Sequence, residues 1–249
     1  MLSFNSNSNL TTIYPAYQPV PFDHTYILYD PQDVISVICV QFSLLPIYIM
    51  VFYTAWFLIT REIEPVIAVG GHLCNEIANK IVKRLIKHPR PDFHKDFGLG
   101  SYSLTYGMPS AHSQFMGFFA AYFIYTIHFK VDHMPARKKR FAYLLMITGM
   151  VAVAFSRIYL LYHTVPQVIV GVMVGFVLGI CYFIASTLAR DVGLVDWVLN
   201  WPIVKYFYIK DTYYYKYETF QQEHENYLAK RKSAKDTSIQ KTTKEKELQ

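Results

Sequence analysis

The sequence predicts an all-α protein, a polytopic membrane bundle of about five transmembrane helices. Two observations carry this. Of 249 residues, 53% are hydrophobic and 17% aromatic while only 17% are charged, and the mean hydropathy is positive. That balance is unusual for a water-soluble domain. The charges also gather in short clusters and in the last thirty or so residues, leaving uncharged runs close to the about 20 apolar residues that a bilayer core requires per helix. A soluble enzyme is excluded, and one bundle is the expected domain count.

Taken in order, residues 1–33 form an N-terminal segment with Asp23, Asp30 and Asp33 but no Lys or Arg. Residues 1–30 have neither the basic nor the apolar region of a signal peptide, so no cleaved leader is expected. Residues 34–60 form the first span, free of charge, with a kink expected at Pro46. Residues 63–86 are a weaker second span, interrupted by His72, Asn75, Glu76, Asn79 and Lys80. These polar groups either line a substrate cavity or pair with neighbouring helices, and the span either crosses unbroken or breaks near residues 72–75. Residues 113–129 give a short uncharged third span. Residues 141–155, extended through Leu161, give the fourth, and residues 168–189 the fifth. The core thus covers residues 34–190. Residues 191–227 form an aromatic, partly amphipathic stretch around Trp197, Trp201 and Tyr213 to Tyr215. It either lies along the membrane surface or folds back on the bundle. Residues 228–249 are polar and basic and are expected to be a disordered cytoplasmic tail. Cys39, Cys74 and Cys181 fall within spans and read as small buried apolar residues, not as disulfides or metal ligands. Gly171-x3-Gly175-x3-Gly179 on the fifth span allows close helix packing.

Sidedness follows from charge. Lys130 and Arg137 to Arg140 mark the third-to-fourth connection as cytoplasmic. Counting outward places the N-terminal segment, residues 87–112 and residues 157–165 on the opposite side, and the C-terminal tail inside. Asn9-Leu10-Thr11 is a glycosylation sequon that this count leaves open to modification. Lys83, Lys87, Arg90 and Arg157 oppose the charge bias, which calls for a reason, and an anionic ligand would supply one. The net charge of +6 otherwise reflects cytoplasmic loops. No nucleic-acid recognition fold surrounds the basic residues.

The same count brings three polar clusters to one face: Lys83 to Asp92, Pro109-Ser110-Ala111-His112, and Ser156-Arg157 to His163. Singly, Lys83 reads as a snorkelling lysine, Ser110 as a helix cap and each histidine as a packing group. Together they place costly ionisable groups at the edge of the membrane, where such groups usually face a functional path. The start of the third span offers unpaired N–H groups to an anion, and arginine matches phosphate by bidentate donation. No carboxylate cluster accompanies the set, so no metal and no cofactor is expected. The set suits metal-free phosphoryl transfer, with one imidazole attacking phosphorus and the other protonating the leaving oxygen.

Lys83-x6-Arg90-Pro91, Pro109-Ser110-x-His112 and Ser156-Arg157-x5-His163 resemble the three-part signature of the type-2 phosphatidic acid phosphatase superfamily. The strings PFDHTYILYD, YGMPSAHSQFMGF and SRIYLLYHTVPQVIVG are similar to the fungal and animal dolichyl-diphosphatases. The resemblance implies that His163 is the nucleophile and His112 the general acid and later base. It implies that Lys83, Arg90, Arg157 and Ser110 bind phosphate, with Ser156 in support. It also implies a polyisoprenyl diphosphate lipid as substrate, recycling of that carrier for protein N-glycosylation, and a site facing the lumen of the endoplasmic reticulum. Two positions depart from the superfamily pattern. Ala111 replaces the usual Gly and needs a backbone that alanine tolerates. Gln167 stands where an Asp usually orients the last histidine. The i,i+4 spacing allows Gln167 to accept the same Nδ1–H bond on a helix, without lending charge, and Asp92 is a candidate to supply it. A phosphatase of phosphatidate or a sphingoid-base phosphate, and a non-catalytic anionic-lipid binder or carrier, are the alternatives. The oligomeric state is not legible.

Overall fold

The computed structural model describes residues 20–22, 27–91, 106–131, 134–213 and 220–247. Asn9 and Asp92 lie outside them. The N-terminal segment contains a small antiparallel hairpin, β1 (Val20–Phe22) and β2 (Ile27–Tyr29), with Val20 opposite Tyr29. The hairpin is a small addition to the all-α bundle that the sequence predicts. Its residues are largely β-branched or aromatic, which favours extended backbone. Ile27 and Leu28 are buried, and the Leu28 N–H donates to the Tyr162 hydroxyl at 2.7 Å.

The first span consists of two helices, α1 (Val34–Ser43) and α2 (Leu45–Thr60). Asp33 caps α1 by accepting from the Ile35 N–H at 2.9 Å. The break falls at Leu44 because Pro46, in the first turn of α2, has no N–H to continue the ladder. α3 (Glu64–Ile86) is one unbroken helix that ends at Lys87 in the left-handed conformation, φ 52°. Its polar residues pair with neighbouring helices. Asn79 Nδ2 donates to Gln114 Oε1 at 2.7 Å, Gln114 Nε2 donates to Asn75 Oδ1 at 2.9 Å, and His72 Nε2 meets the Tyr53 hydroxyl at 3.2 Å. Glu76 and Lys80 instead form an exposed ion pair at 3.6 Å.

α4 (Ala111–Lys130) is the central helix, packed against α3, α5 (Ala136–Tyr159) and α6 (Val165–Asp191). Among the described residues, 34–60, 136–159 and 165–191 are long and apolar enough to cross a membrane. α3 falls short because one face carries amides and an imidazole. The core gathers Tyr53, Ala68, Met116, Phe118, Tyr122, Val153 and Phe183 between these helices. Cys39 is buried as expected, whereas Cys74 and Cys181 are exposed on the outer face of the bundle. A lipid-facing surface accepts a small thiol as readily as a core does.

At the end where α3 begins and α6 finishes, Arg190 is buried and paired with Glu64 and with Asp211, the latter at 2.9 Å. Tyr122 donates to Glu64 at 2.7 Å. Short helices α7 (Leu194–Leu199) and α8 (Pro202–Tyr206) follow, with Trp197, Trp201, Tyr206, Phe207 and Tyr208 exposed. The stretch returns to the bundle at Lys210, whose N–H donates to the Arg61 carbonyl at 3.0 Å. Residues 212–249 form a separate unit containing α9 (Phe220–Glu247). Composition leads to an expectation of disorder for residues 228–249, and the helix runs through them to Glu247. The segment has no Gly or Pro and is rich in Lys, Glu, Gln and Ala, which are strong helix formers.

Candidate active site

The site is assembled at the end of the bundle where α3 and α5 finish and α4 and α6 begin. Parallel packing of α4 on α6 sets its frame. A Cβ on Gly175 would fall on the Gln114 carbonyl, and one on Gly171 would lie 2.7 Å from the Ser110 carbonyl oxygen. Only glycine permits backbones this close, and the closeness lets the Ser110 N–H donate to the Gln167 carbonyl at 3.0 Å.

Ser110 occupies the cap position of α4, but its side chain makes no capping bond. Its hydroxyl accepts from Ser113 at 3.1 Å, so its own proton is available to another acceptor. Ala111 is the first residue of the helix, so the alanine needs no left-handed backbone. The first i→i−4 bond of α4 runs from the Gln114 N–H to the Ser110 carbonyl at 2.9 Å. The N–H groups of Ala111, His112 and Ser113 therefore precede the helical ladder. His112 is the second residue of α4, within electrostatic reach of Arg157, Lys83 and Arg90.

Lys83 lies in the last turn of α3, within electrostatic reach of Arg90 and Arg157. Arg157 is 2% exposed. Its guanidinium stacks on the Tyr162 ring at 4.0 Å and donates from Nη1 to the Ser43 hydroxyl at 3.2 Å. Ser43 in turn meets Ser156 at 3.0 Å, and Ser156 donates to the Val153 carbonyl at 2.8 Å. Ser156 thus supports Arg157 through Ser43.

The chain between α5 and α6 folds around one carbonyl. The N–H groups of Tyr162 and His163 both donate to the Arg157 carbonyl, at 3.0 and 3.1 Å. Leu161 takes φ 59° to allow it, a strained conformation for a branched residue. His163 is buried, and its Nδ1 lies 3.2 Å from Gln167 Oε1. The spacing suggested this pair on a helix, but His163 precedes the helix and Gln167 sits in its first turn. Thr164 caps α6 and lets the Gln167 side chain turn back. Burial above all, then the charges of Arg157 and Arg90, hold the His163 imidazole well below its ordinary value of 6.5.

The amide orientation of Gln167 is fixed by groups of unambiguous character. Its Oε1 accepts from the Thr164 N–H at 3.2 Å, and its Nε2 donates to the Pro89 carbonyl at 2.7 Å. The oxygen therefore faces His163. Since Oε1 can only accept, Nδ1 of His163 carries the proton and its Nε2 carries a lone pair.

Nine of the ten residues singled out from the sequence belong to this assembly, and the tenth, Asp92, lies outside the described residues. Sequence reasoning missed Ser43, His88, Gly107 and Tyr162. Ser43 sits in an apolar run with no motif around it. His88 lies inside the first motif, but at a position that its pattern leaves open. Gly107 packs on the Gln167 amide, where a Cβ would come within 2.6 Å of Nε2. An unexplained glycine just before Pro109 was the one signal available.

Residues 64–190 match the PAP2 superfamily. The chain is 41% identical to the Saccharomyces cerevisiae protein named "Dolichyldiphosphatase" over 227 residues, covering 89% of this chain and 93% of that one. It is 32% identical to the Homo sapiens "Dolichyldiphosphatase 1", covering 77% of this chain and 82% of the other. A solved transmembrane PAP2-type phosphatidylglycerolphosphate phosphatase from Bacillus subtilis aligns over 58% of this chain and 73% of its own, at 23% identity and a TM-score of 0.48. With the signature residues gathered at one end of the bundle, the family match over residues 64–190 and 41% identity to the yeast protein over 89% of the chain show that the chain belongs to the PAP2 superfamily and, within it, to the dolichyldiphosphatases.

Proposed function

We propose that this membrane-bound phosphatase hydrolyses dolichyl, or a related polyisoprenyl, diphosphate to the monophosphate and inorganic phosphate through a phosphohistidine. The observation that carries the reading is the Gln167 amide oxygen facing His163 Nδ1. It leaves Nε2 as a neutral nucleophile. Nε2 attacks the terminal phosphorus, and the bond from that phosphorus to the bridging oxygen breaks. His112 gives its proton to the departing lipid monophosphate. Water then attacks the phosphohistidine, His112 takes the water's proton, and inorganic phosphate leaves. Lys83, Arg90 and Arg157 hold the phosphoryl oxygens, with the Ser110 hydroxyl and the first N–H groups of α4 completing the cradle. All charge stabilisation comes from protein groups, so no divalent ion is called on.

A site at the end of the bundle suits a long lipid, whose tail stays among neighbouring lipids. Lys130 and Arg137 to Arg140 stand at the opposite end, where α4 finishes and α5 begins. The positive-inside bias then supports a site facing the lumen of the endoplasmic reticulum, with the product returned as a carrier for protein N-glycosylation.

The deciding assay gives the purified protein dolichyl diphosphate or phosphatidate in detergent with a chelator present. Phosphate is expected from the diphosphate in preference to phosphatidate, undiminished by the chelator. Preference for phosphatidate overturns the substrate, and loss on chelation overturns the metal-free mechanism.

The His163 environment also predicts a pH profile. The acid limb of kcat/KM reports essential groups of the free enzyme. Burial disfavours the imidazolium of His163, so the neutral nucleophile survives below 6.5. Activity falls only as pH drops through the lowered value. An acid limb centred at 6.5 and assigned to the enzyme by its persistence across substrates would contradict this.

A further inference from the structure

Gln167 does more than face His163. Its amide is spent in two directions, and the second leads to a different motif. Nε2 donates to the Pro89 carbonyl at 2.7 Å and lies 2.9 Å from His88 Nδ1. The Pro89 carbonyl belongs to the peptide that joins Pro89 to Arg90. That peptide is planar, so holding its oxygen sets the direction in which the chain enters Arg90. On the other side, Pro91 restricts Arg90 to extended conformations. One side-chain bond thus completes the definition of the Arg90 backbone. The same turn is held from outside by the Gly107 N–H, which donates to the His88 carbonyl at 2.7 Å. Gly107 also covers the amide so closely that no side chain fits there.

We infer that Gln167 is a two-ended positioning residue: its acceptor end orients the nucleophile His163, and its donor end places Arg90, so that phosphate binding and attack are set by one amide. An aspartate has no donor end. It would face the Pro89 carbonyl with a like-signed oxygen and leave the Arg90 turn untied. The glutamine is therefore matched to this turn and is not a weakened form of a carboxylate. His88 Nδ1 also lies 3.0 Å from the Pro89 carbonyl, but His88 is exposed and water competes for it, whereas the Gln167 donor is buried. The inference rests on the phosphatase reading above.

The test is a double-mutant cycle between Gln167 and Arg90, read as competitive inhibition by inorganic phosphate and, separately, as kcat. Removing a hydrogen bond that positions a charged ligand contact costs about tenfold in affinity. Gln167→Leu is expected to raise the phosphate inhibition constant about tenfold in the otherwise native enzyme and by less than about twofold in Arg90→Ala, because a lost Arg90 has no position left to lose. It should lower kcat in both backgrounds, because the acceptor for His163 is gone in both. Equal loss of phosphate affinity in the two backgrounds, or no loss in either, overturns the inference. Should Gln167→Leu aggregate, Gln167→Glu enters the same cycle. It keeps the acceptor end and removes only the donor, and its repulsion of phosphate acts in both backgrounds and cancels. Arg90→Ala that leaves phosphate inhibition and turnover intact would instead sink the functional reading itself, so the two failures are distinguishable.

Discussion

His163→Asn abolishes phosphate release, lowering turnover by on the order of 10⁴-fold or more, as loss of a nucleophile acting in concert with its partners does elsewhere. Asparagine is the informative replacement because its amide can still donate to Gln167 Oε1, which lies 3.2 Å from the native Nδ1. It preserves the packing of a residue only 4% exposed while removing the lone pair. The measurement is a single-turnover reaction with terminally labelled diphosphate, quenched in base, where a phosphohistidine persists and an acyl phosphate does not. The native enzyme should trap label and His163→Asn none, with an unchanged melting temperature. His112→Asn should behave differently. Given a leaving group that needs no proton, it should still form the labelled enzyme and then release phosphate slowly, since in the proposed mechanism His112 also serves the water step. Turnover in His163→Asn would assign the attack to another group.

Gly175→Ala is the largest expected effect on stability. The added methyl falls on the Gln114 carbonyl, so neither a rotamer change nor a side-chain shift makes room. α4 and α6 must separate. Overpacking of this kind costs about 3 kcal/mol, which for a chain of this size lowers the melting temperature by roughly 6–12 °C. Activity should fall as well, because the Ser110–Gln167 bond bridges the same two helices. Gly149→Ala is the control. Its Cβ would meet Leu45 at 3.5 Å, an ordinary contact, and the melting temperature should stay within a few degrees. Equal effects from the two substitutions would mean that the glycine stripe does not set the separation of the helices.

Much of the fold is legible because hydrocarbon is a demanding solvent. Long uncharged runs have few alternatives to membrane helices, and Pro46 announces the break between α1 and α2 in advance. The polar face of α3 is ambiguous in sequence, because a cavity and a partner amide ask for the same residues. Only Gln114, on another helix, decides for pairing. The helix of α9 is missed for the opposite reason: composition without an apolar face reads as disorder, while local propensity alone favours helix. Ser43 carries no local mark, since its importance comes entirely from standing beside Arg157, 114 residues away in sequence.

By itself the sequence determined which chemistry is present: two imidazoles, three cations and a serine, at the spacings of three motifs. Residue type and order suffice for that, whereas their meeting at one end of the bundle follows from how α3, α4, α5 and α6 pack. Which nitrogen of His163 is free was decided only by the tertiary structure. That depends on the direction of the Gln167 amide, which is set between the Thr164 N–H and a Pro89 carbonyl 78 residues away. An amide looks the same from either end until its neighbours are in place, so no reading of the linear chain could have assigned that proton.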